Sequence, residues 1–518
     1  MASPSEKLAE SLEVLHRLQE GGVIAIRSRD LTRTHRERLT SNGFLQEVFK
    51  GWYIPSRPDD PAGESTAWYT SFWQFCAAYL TERFDDAWCL SPEQSLLLHV
   101  GNHTVPRQLL VRASKGRGHV TALPHDTSLL DVKANLPAEK DIVILDGLRL
   151  FSVPTALVAA SPGYYERQPT DAQSALAMLR DASDVLDKLL EGGHSVIAGR
   201  LAGGLRHIGR DKIADNIIKT MAAADYKVRE SNPFEATPRI ALPGRERSPQ
   251  INRLHLKWQQ MRSSVVDAFP NAPGLPRGKA RFLKHIDEAY QADAYHSLSI
   301  EGYRVSPDLI ERVRSGNWNP DATEADRNHR DALAARGYWQ AFQAVKRSVE
   351  KVLNRDNAGT VADDDHGEWY REMFGPSVTA GLLKPADLAG YRNMPVYIRR
   401  SKHVPPSAEA VRDLMPVLFS LLQEEDHPAV RVVLGHFFFV NIHPYMDGNG
   451  RIGRFLMNVM LASGGYPWTV IPLDRRDDYM IALEAASVDD NIAPFTAFLA
   501  ELVSDALKGK PVPAIPST

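Results

Sequence analysis

The sequence predicts a multidomain protein. A mostly α-helical C-terminal region carrying one β-hairpin is preceded by an α/β region that opens with a winged helix-turn-helix. Three observations predict this. The chain has 518 residues, enough for two to four domains at about 100–200 residues each. Between residues 280 and 508 apolar residues recur at helical spacing, in "ARFLKHIDEAYQADAYHSLSIEGY", "ADRNHRDALAARGYWQAFQAVKRSVEKVL", "SAEAVRDLMPVLFSLLQ", "PAVRVVLGHFFFVNI" and "RFLMNVMLASGG". Upstream, helical and strand-like stretches mix, and Pro/Gly-rich breaks fall at 53–65, 232–250 and 269–280.

The first unit, 1–58, reads as helix, short second element ("RSRDL"), third helix ending at Asn42-Gly43, then a hairpin about Lys50-Gly51. That order is a winged helix-turn-helix. From Ile24 to Arg57 there are seven Lys/Arg against three Asp/Glu. Arg33, Arg36 and Arg38 fall on the third helix, where a recognition helix would present them to DNA, and Lys50 with Trp52 falls on the wing. The bland alternative is a solvated basic helix in a protein-binding module. The second unit, 66–231, is mixed: "DIVILDGLRLFSV" reads as strands and "DAQSALAMLRDASDVLDKLLEGG" as one helix closed by Gly. Residues 232–279 read as a linker, and 354–367 as a polar surface loop within the last domain, 280–508. There, "MPVYIRRSKHVPPS" alternates β-formers before Pro-Pro and reads as a short hairpin.

Composition sets limits on function. The chain is 43% hydrophobic and 24% charged with a formal net charge of −3, so no overall field drives it to nucleic acid or membrane. The longest apolar run near a helix, "VVLGHFFFVNI", is about half of the ~20 residues a membrane span needs. The amphipathic start has no signal-peptide core. Cys76 and Cys89 are too few for a disulfide framework and sit in aromatic-rich surroundings, which suits packing. The expectation is a soluble cytoplasmic protein without membrane association.

The densest chemistry lies in "HPYMDGNGRIGR", His443 to Arg454. The apolar helix before it must stop at His443, because Pro444 cannot continue it. Asp447-Gly-Asn-Gly is turn chemistry, and a new apolar helix starts at Arg451. A loop feeding a helix N-terminus offers free N–H groups and a favourable dipole to an anion. Gly448 and Gly450 admit close approach of a phosphate to the backbone. Arg451 and Arg454, three apart on one side of the helix, can fork onto phosphate oxygens. Asp447 offers a hard oxygen to Mg²⁺, and His443 could deprotonate a hydroxyl. Singly, each feature is more often a cap, a turn or a solvated face. Together they describe phosphoryl-group transfer from a nucleotide.

The stretch resembles the Fic-family motif H-x-F-x-[DE]-G-N-G-R-x-x-R, with Tyr445 in place of Phe. The flanks "LAGYRNMPVYIRRSKHVPP" and "IPLDRRDDYMIALEAAS" also resemble the family, over roughly 280–505. The resemblance implies AMP transfer from ATP–Mg²⁺ to a Ser, Thr or Tyr hydroxyl of a target protein. It makes His443 the base and Asp447 the metal ligand. The Gly448–Gly450 backbone and Asn449 would cradle the phosphates, with Arg451 holding them and Arg454 on the γ-phosphate. Tyr479 would line the base pocket, and the hairpin would be a flap that aligns the target segment. UMP or GMP transfer stays open, as does a homodimer.

Upstream, "SLSIEG" is similar to the family's inhibitory motif [ST]-x-x-x-E-[GN], with Ser297 and Glu301 at the matching positions on a helix over about 282–302. The resemblance implies that Glu301 pairs with Arg454 and displaces the γ-phosphate; the plain alternative is a surface Glu before a helix-ending Gly. Some family members use this Glu to position water for AMP removal. Residues 10–55 and "GRLAGGLRHIGRDKIADNIIKTMAAADY" look similar to abortive-infection-type antitoxins. That implies a DNA-binding regulator or a toxin–antitoxin-like protein with the Fic-like domain as sensor, the rival to the enzyme reading.

Overall fold

A computed structural model of the chain describes residues 3–58, 64–240, 242, 248–317 and 330–516. It divides into two compact units: residues 1–253 with 397–404, and residues 254–396 with 405–518. The beginning of the helix expected from Ala325, and parts of the expected breaks at 53–65 and 232–250, lie outside the described residues.

The first unit opens with helix Pro4–Glu20, started by a capping box in which Ser3 Oγ accepts from Glu6 N and Glu6 Oε2 accepts from Ser3 N. Strand Ile26–Arg27, helix Arg33–Ser41 and the hairpin Leu45–Phe49/Trp52–Pro55 follow. The three strands form an antiparallel sheet, with the last in the middle. Leu15, Ile26, Leu31, Leu39, Leu45 and Tyr53 close a small core. The expected short second helix is absent. Asp30 instead accepts from the N–H and Nε of Arg27 and locks a turn after the first strand, so there are two helices rather than the three of the expected winged helix-turn-helix.

The expected α/β unit has helix Thr66–Phe84 packed on a four-stranded sheet. Its strand order is Trp88–Leu90, Gln108–Ala113, Thr127–Lys133, His119–Leu123, with the central pair parallel. Hairpin Ile142–Leu145/Leu148–Phe151 is the strand pair the sequence promised. Cys76 and Cys89 are free and buried, and burial pushes the Cys89 thiol up to about 12. The single helix expected over "DAQSALAMLRDASDVLDKLLEGG" is two, Pro169–Ala177 and Ser183–Glu191. The break is stabilised by side chains: Asp184 accepts from Arg180 N and Asp181 from Ser183 N.

The expected flap hairpin forms no strand pairs: residues 391–407 are turns and irregular backbone. Pro395, Pro405 and Pro406 lack the N–H a ladder needs, and Arg400 is left-handed with φ 60°. Residues 397–404 belong to the first unit. Arg400 N donates to Thr66 Oγ1 and Val105 N to the Lys402 carbonyl, while the buried Glu64 carboxylate takes Arg399 and Arg400 at 3.2 and 3.3 Å.

All the regular secondary structure among the described residues of the second unit is helical. The expected linker 232–279 contains helix Pro249–Ala268, most of it in this unit, whose apolar face buries Leu254, Trp258, Met261 and Val265. Helices Lys279–Ile300, Pro307–Arg314, Arg330–Leu353, Ala358–Thr379, Ala408–Glu424, Pro428–Ile442, Asn449–Gly464, Arg476–Val488 and Ala493–Leu507 follow. The polar loop expected at 354–367 shrinks to 354–357: Asn357 caps the next helix by accepting from Thr360 N. The acidic run Asp363–Asp365 then lies inside that helix, where Asp365 takes Ser348 and Lys351.

Candidate active site

Two helices bring the motif together. Helix Pro428–Ile442 is apolar on nearly every side and buried accordingly. It stops as expected, with His443 in the left-handed region at φ 55° and Pro444 behind it. The ring Nδ1 lies 3.1 Å from the Val440 carbonyl. An N–H donated there leaves Nε2 as the free lone pair. Burial of the ring pushes its pKa down to about 4, so the imidazole is a neutral acceptor at physiological pH.

The loop is held by stacking and by one amide. Tyr445 lies parallel to Tyr370 with centroids 3.8 Å apart, which accounts for an aromatic residue at that position. Asn449 Oδ1 accepts from Tyr445 N and its Nδ2 donates to Tyr445 O, both at 2.8 Å. Both ends of its side-chain amide are thus engaged by the loop. Gly448, φ 80°, caps helix Asn449–Gly464, and a Cβ there would meet the Phe374 ring at 2.8 Å. At Gly450 a Cβ would collide with Glu301 Oε1. Asp447 is exposed; one oxygen takes Gly448 N and the other lies 3.5 Å from Arg451 Nη2.

The two arginines, expected on one side, address different neighbours. Arg451 is 1% exposed, with its guanidinium carbon 5.1 Å from the centres of both the Tyr303 and Phe374 rings. Its Nε and Nη2 have no hydrogen-bond partner. It lines a cavity of about 740 Å³ whose wall also includes Tyr303, Arg330, Phe374, Arg392 and Asp447. Arg454 turns instead to helix Lys279–Ile300, donating Nε to Ser297 Oγ at 2.9 Å and Nη2 to Ser297 O and Glu301 Oε1 at 3.0 and 2.7 Å. Glu301 is fixed at that helix's end by a Schellman closure: Gly302 at φ 88°, with Gly302 N on Ser299 O and Tyr303 N on Leu298 O. Burial alone would raise the Glu301 pKa, but the Arg454 and Arg451 cations outweigh it and hold the carboxyl below its usual range.

Of the other candidates, Tyr479 does not line the cavity. It is 1% exposed and packs on Phe495 and Phe498, and its hydroxyl lies 2.7 Å from His436 Nε2. On the basic helix, Arg36 donates to Ser28 O beneath the Tyr53 ring, and Arg38 donates to Lys7 O and Ser11 Oγ. Both serve the unit's own structure rather than an open surface. Arg33 forms an exposed pair with Glu37, and Lys50 is exposed in its turn. Sequence reasoning missed Arg392, Tyr303 and Phe374. None belongs to a periodic pattern, and only "LAGYRNMP" flagged the vicinity of Arg392.

For a divalent ion, Asp447 is the one suitable ligand in the loop, and no cluster of three or more His, Cys, Asp or Glu groups fit for a metal exists among the described residues. A single exposed carboxylate beside an anion site suits Mg²⁺ carried in on phosphates and keeping its waters. No helix of the described residues is long and apolar enough to cross a membrane.

Residues 365–461 match the Fic/DOC family. The chain is 28% identical over 275 residues to the protein adenylyltransferase Fic of Nematostella vectensis, covering 52% of this chain and 59% of that one. It is 26% identical over 358 residues to the Drosophila willistoni protein of the same name, covering 66% and 67%. The chain thus spans about three fifths of the length of the Nematostella relative. Among solved structures, Fic-1 (aa134–508) from C. elegans covers 69% of this chain and 96% of its own at 17% identity and a TM-score of 0.36. His443 to Arg454 fall inside the matched segment 365–461, whereas Ser297 and Glu301 fall outside it.

Proposed function

We propose that the chain is a protein adenylyltransferase that moves AMP from ATP to a Ser, Thr or Tyr hydroxyl of a target protein, held inactive by Glu301. The observation that carries the reading is Arg451: a buried cation whose Nε has no hydrogen-bond partner and whose Nη2 has only the ion pair with the exposed Asp447, at the wall of a cavity one turn into the helix whose N-terminus is the Gly448–Gly450 loop. Such a site is built for phosphates. His443 Nε2 takes the proton of the target hydroxyl. The hydroxyl oxygen bonds to the α-phosphorus, the bond from that phosphorus to the α–β bridging oxygen breaks, and pyrophosphate leaves with the electron pair. Asp447 would hold Mg²⁺, which supplies positive charge against the departing pyrophosphate. Residues 393–406 would align the target segment without forming a hairpin of their own.

In the resting chain Glu301 occupies Arg454 and stands over Gly450, where a γ-phosphate would need both. Misplacement of ~1 Å at the reacting phosphorus costs about a hundredfold. Incubation with [α-³²P]ATP and, separately, [γ-³²P]ATP tests the reading in Glu301→Gly protein. Label from the first only, retained on the protein through denaturation, is the expected result; label from neither removes the enzyme reading. AMP removal assisted by Glu301 predicts instead that wild type strips label from modified protein faster than Glu301→Gly. DNA binding by the first unit through Arg33, Arg36, Arg38 and Lys50, of which Arg36 and Arg38 are also hydrogen-bonded within the unit, is tested by a gel-shift assay on the full chain.

A further inference from the structure

We propose that Arg392 is a positioning residue that ties the backbone carrying the base to Met394 and Pro406, the two ends of the target-aligning segment; this rests on the AMP-transfer reading above. The residue is 2% exposed. Its backbone N–H donates to Pro444 O at 2.9 Å and its Nε to His443 O at 2.8 Å. Its Nη1 donates to Met394 O at 3.1 Å, and its Nη2 to Pro406 O and, at 3.5 Å, Ile442 O. One planar guanidinium therefore joins three pieces of chain: the end of the helix that delivers His443, the entry to the target-aligning segment, and its exit. Arg412 Nη1 braces the Arg392 carbonyl from the next helix.

The acceptors are main-chain carbonyls rather than a carboxylate. A buried cation answered by neutral groups is costly, and burial pulls its pKa down to about 10, still charged at neutral pH. A tie serving stability alone is served as well by apolar packing. What the guanidinium adds is a rigid fork with fixed directions, which an ammonium cannot reproduce. Met394 and Pro406 flank residues 397–404 along the chain, and the guanidinium holds a carbonyl at each of these two ends.

The test uses full-length Glu301→Gly protein as parent, with Arg392→Lys and Arg392→Gln added. Three quantities are measured: self-labelling from [α-³²P]ATP, hydrolysis of ATP to AMP and pyrophosphate, and ATP–Mg²⁺ affinity by calorimetry. Water needs no aligned segment, whereas a protein hydroxyl does. Self-labelling is expected to fall about 10–100-fold, with ATP affinity unchanged within about twofold and the ratio of hydrolysis to transfer rising about tenfold. Thermal melts identify folded variants, and Arg392→Lys carries the comparison if Arg392→Gln does not fold. Unchanged labelling, or hydrolysis and labelling falling in proportion, overturns the proposal. A parent that neither labels nor hydrolyses overturns the transfer reading itself, and this proposal with it.

Discussion

Replacing Glu301 by Gly should activate the chain, and the size of the effect follows from the contact it removes. Glu301 Oε1 and Arg454 Nη2 are 2.7 Å apart, with the arginine side chain 4% exposed and the glutamate 29%. At an effective dielectric of ~20 the gross Coulomb attraction is about 6 kcal/mol. A partly exposed carboxylate regains hydration on release, so the net hold is nearer that of a hydrogen bond to a charged group, about 1.5–3 kcal/mol. Converted at 1.4 kcal/mol per decade, the block by Glu301 is relieved about 10–150-fold, with Arg454 keeping only its bonds to Ser297. The initial rate of AMP incorporation from saturating [α-³²P]ATP should rise by that factor, and adding His443→Ala should remove it. Glu301→Gln, which keeps an acceptor without charge, should give an intermediate rate. Equal rates for wild type and Glu301→Gly, with both proteins binding ATP, would refute the reasoning. Mild acid is no substitute for the mutation. The Glu301 pKa is depressed, so the pair's contribution is complete above the ordinary Glu pKa near ~4.3 and fades only as pH falls through the lower folded value. Wild-type inhibition should hold from pH 8 to pH 6.

Further outcomes follow from the same geometry. With the His443 pKa at about 4, the Glu301→Gly rate should be flat from pH 8 to 6 rather than falling near ~6.5, and His443→Ala should cost about 10²–10⁴ in rate. Asn449→Ala removes both 2.8 Å bonds to Tyr445 from a residue 2% exposed; a loss of about 2–4 kcal/mol, read by denaturant titration, should accompany loss of activity. Burial raises the Asp293 carboxyl to about 6, although the Tyr338 hydroxyl donates to it at 2.6 Å. A raised carboxyl stabilises below the unfolded pKa of ~3.9 and loses that contribution as pH rises through about 6, so Asp293→Asn should flatten this part of the melting profile. Arg36→Ala should lower the stability of the first unit by about 1 kcal/mol, whereas the exposed Arg33→Ala should leave it nearly unchanged.

The C-terminal unit was legible because its signals are local. The apolar repeat of "PAVRVVLGHFFFVNI", the stop at Pro444 and the Gly448 turn are each settled within a few residues. The partnership of Glu301 with Arg454 spans 153 positions, and in the sequence only the resemblance of the two motifs points to it. What escaped had tertiary causes. The acidic run at 363–365 reads as a loop until Asp365 is seen against Ser348 and Lys351. The β-forming pattern of "PVYIRRSKHVPP" reads as a hairpin because alternation says nothing of the partner, and here the partners are Thr66, Glu64 and Val105. Arg36 and Arg38 read as open cations because sequence does not reveal that carbonyls of the same unit consume them.

Residues 397–404 fold with a unit that otherwise ends at Arg253. The compact units are thus not contiguous along the chain, and a truncation cannot separate them cleanly. Cutting at residue 254 would leave this stretch behind without Glu64, Thr66 and Val105, the groups that fix it. A fragment beginning at residue 254 would then report two changes at once: the loss of the first unit, and the loss of the groups that fix residues 397–404. Point changes such as Glu64→Gln in the intact chain keep the two apart.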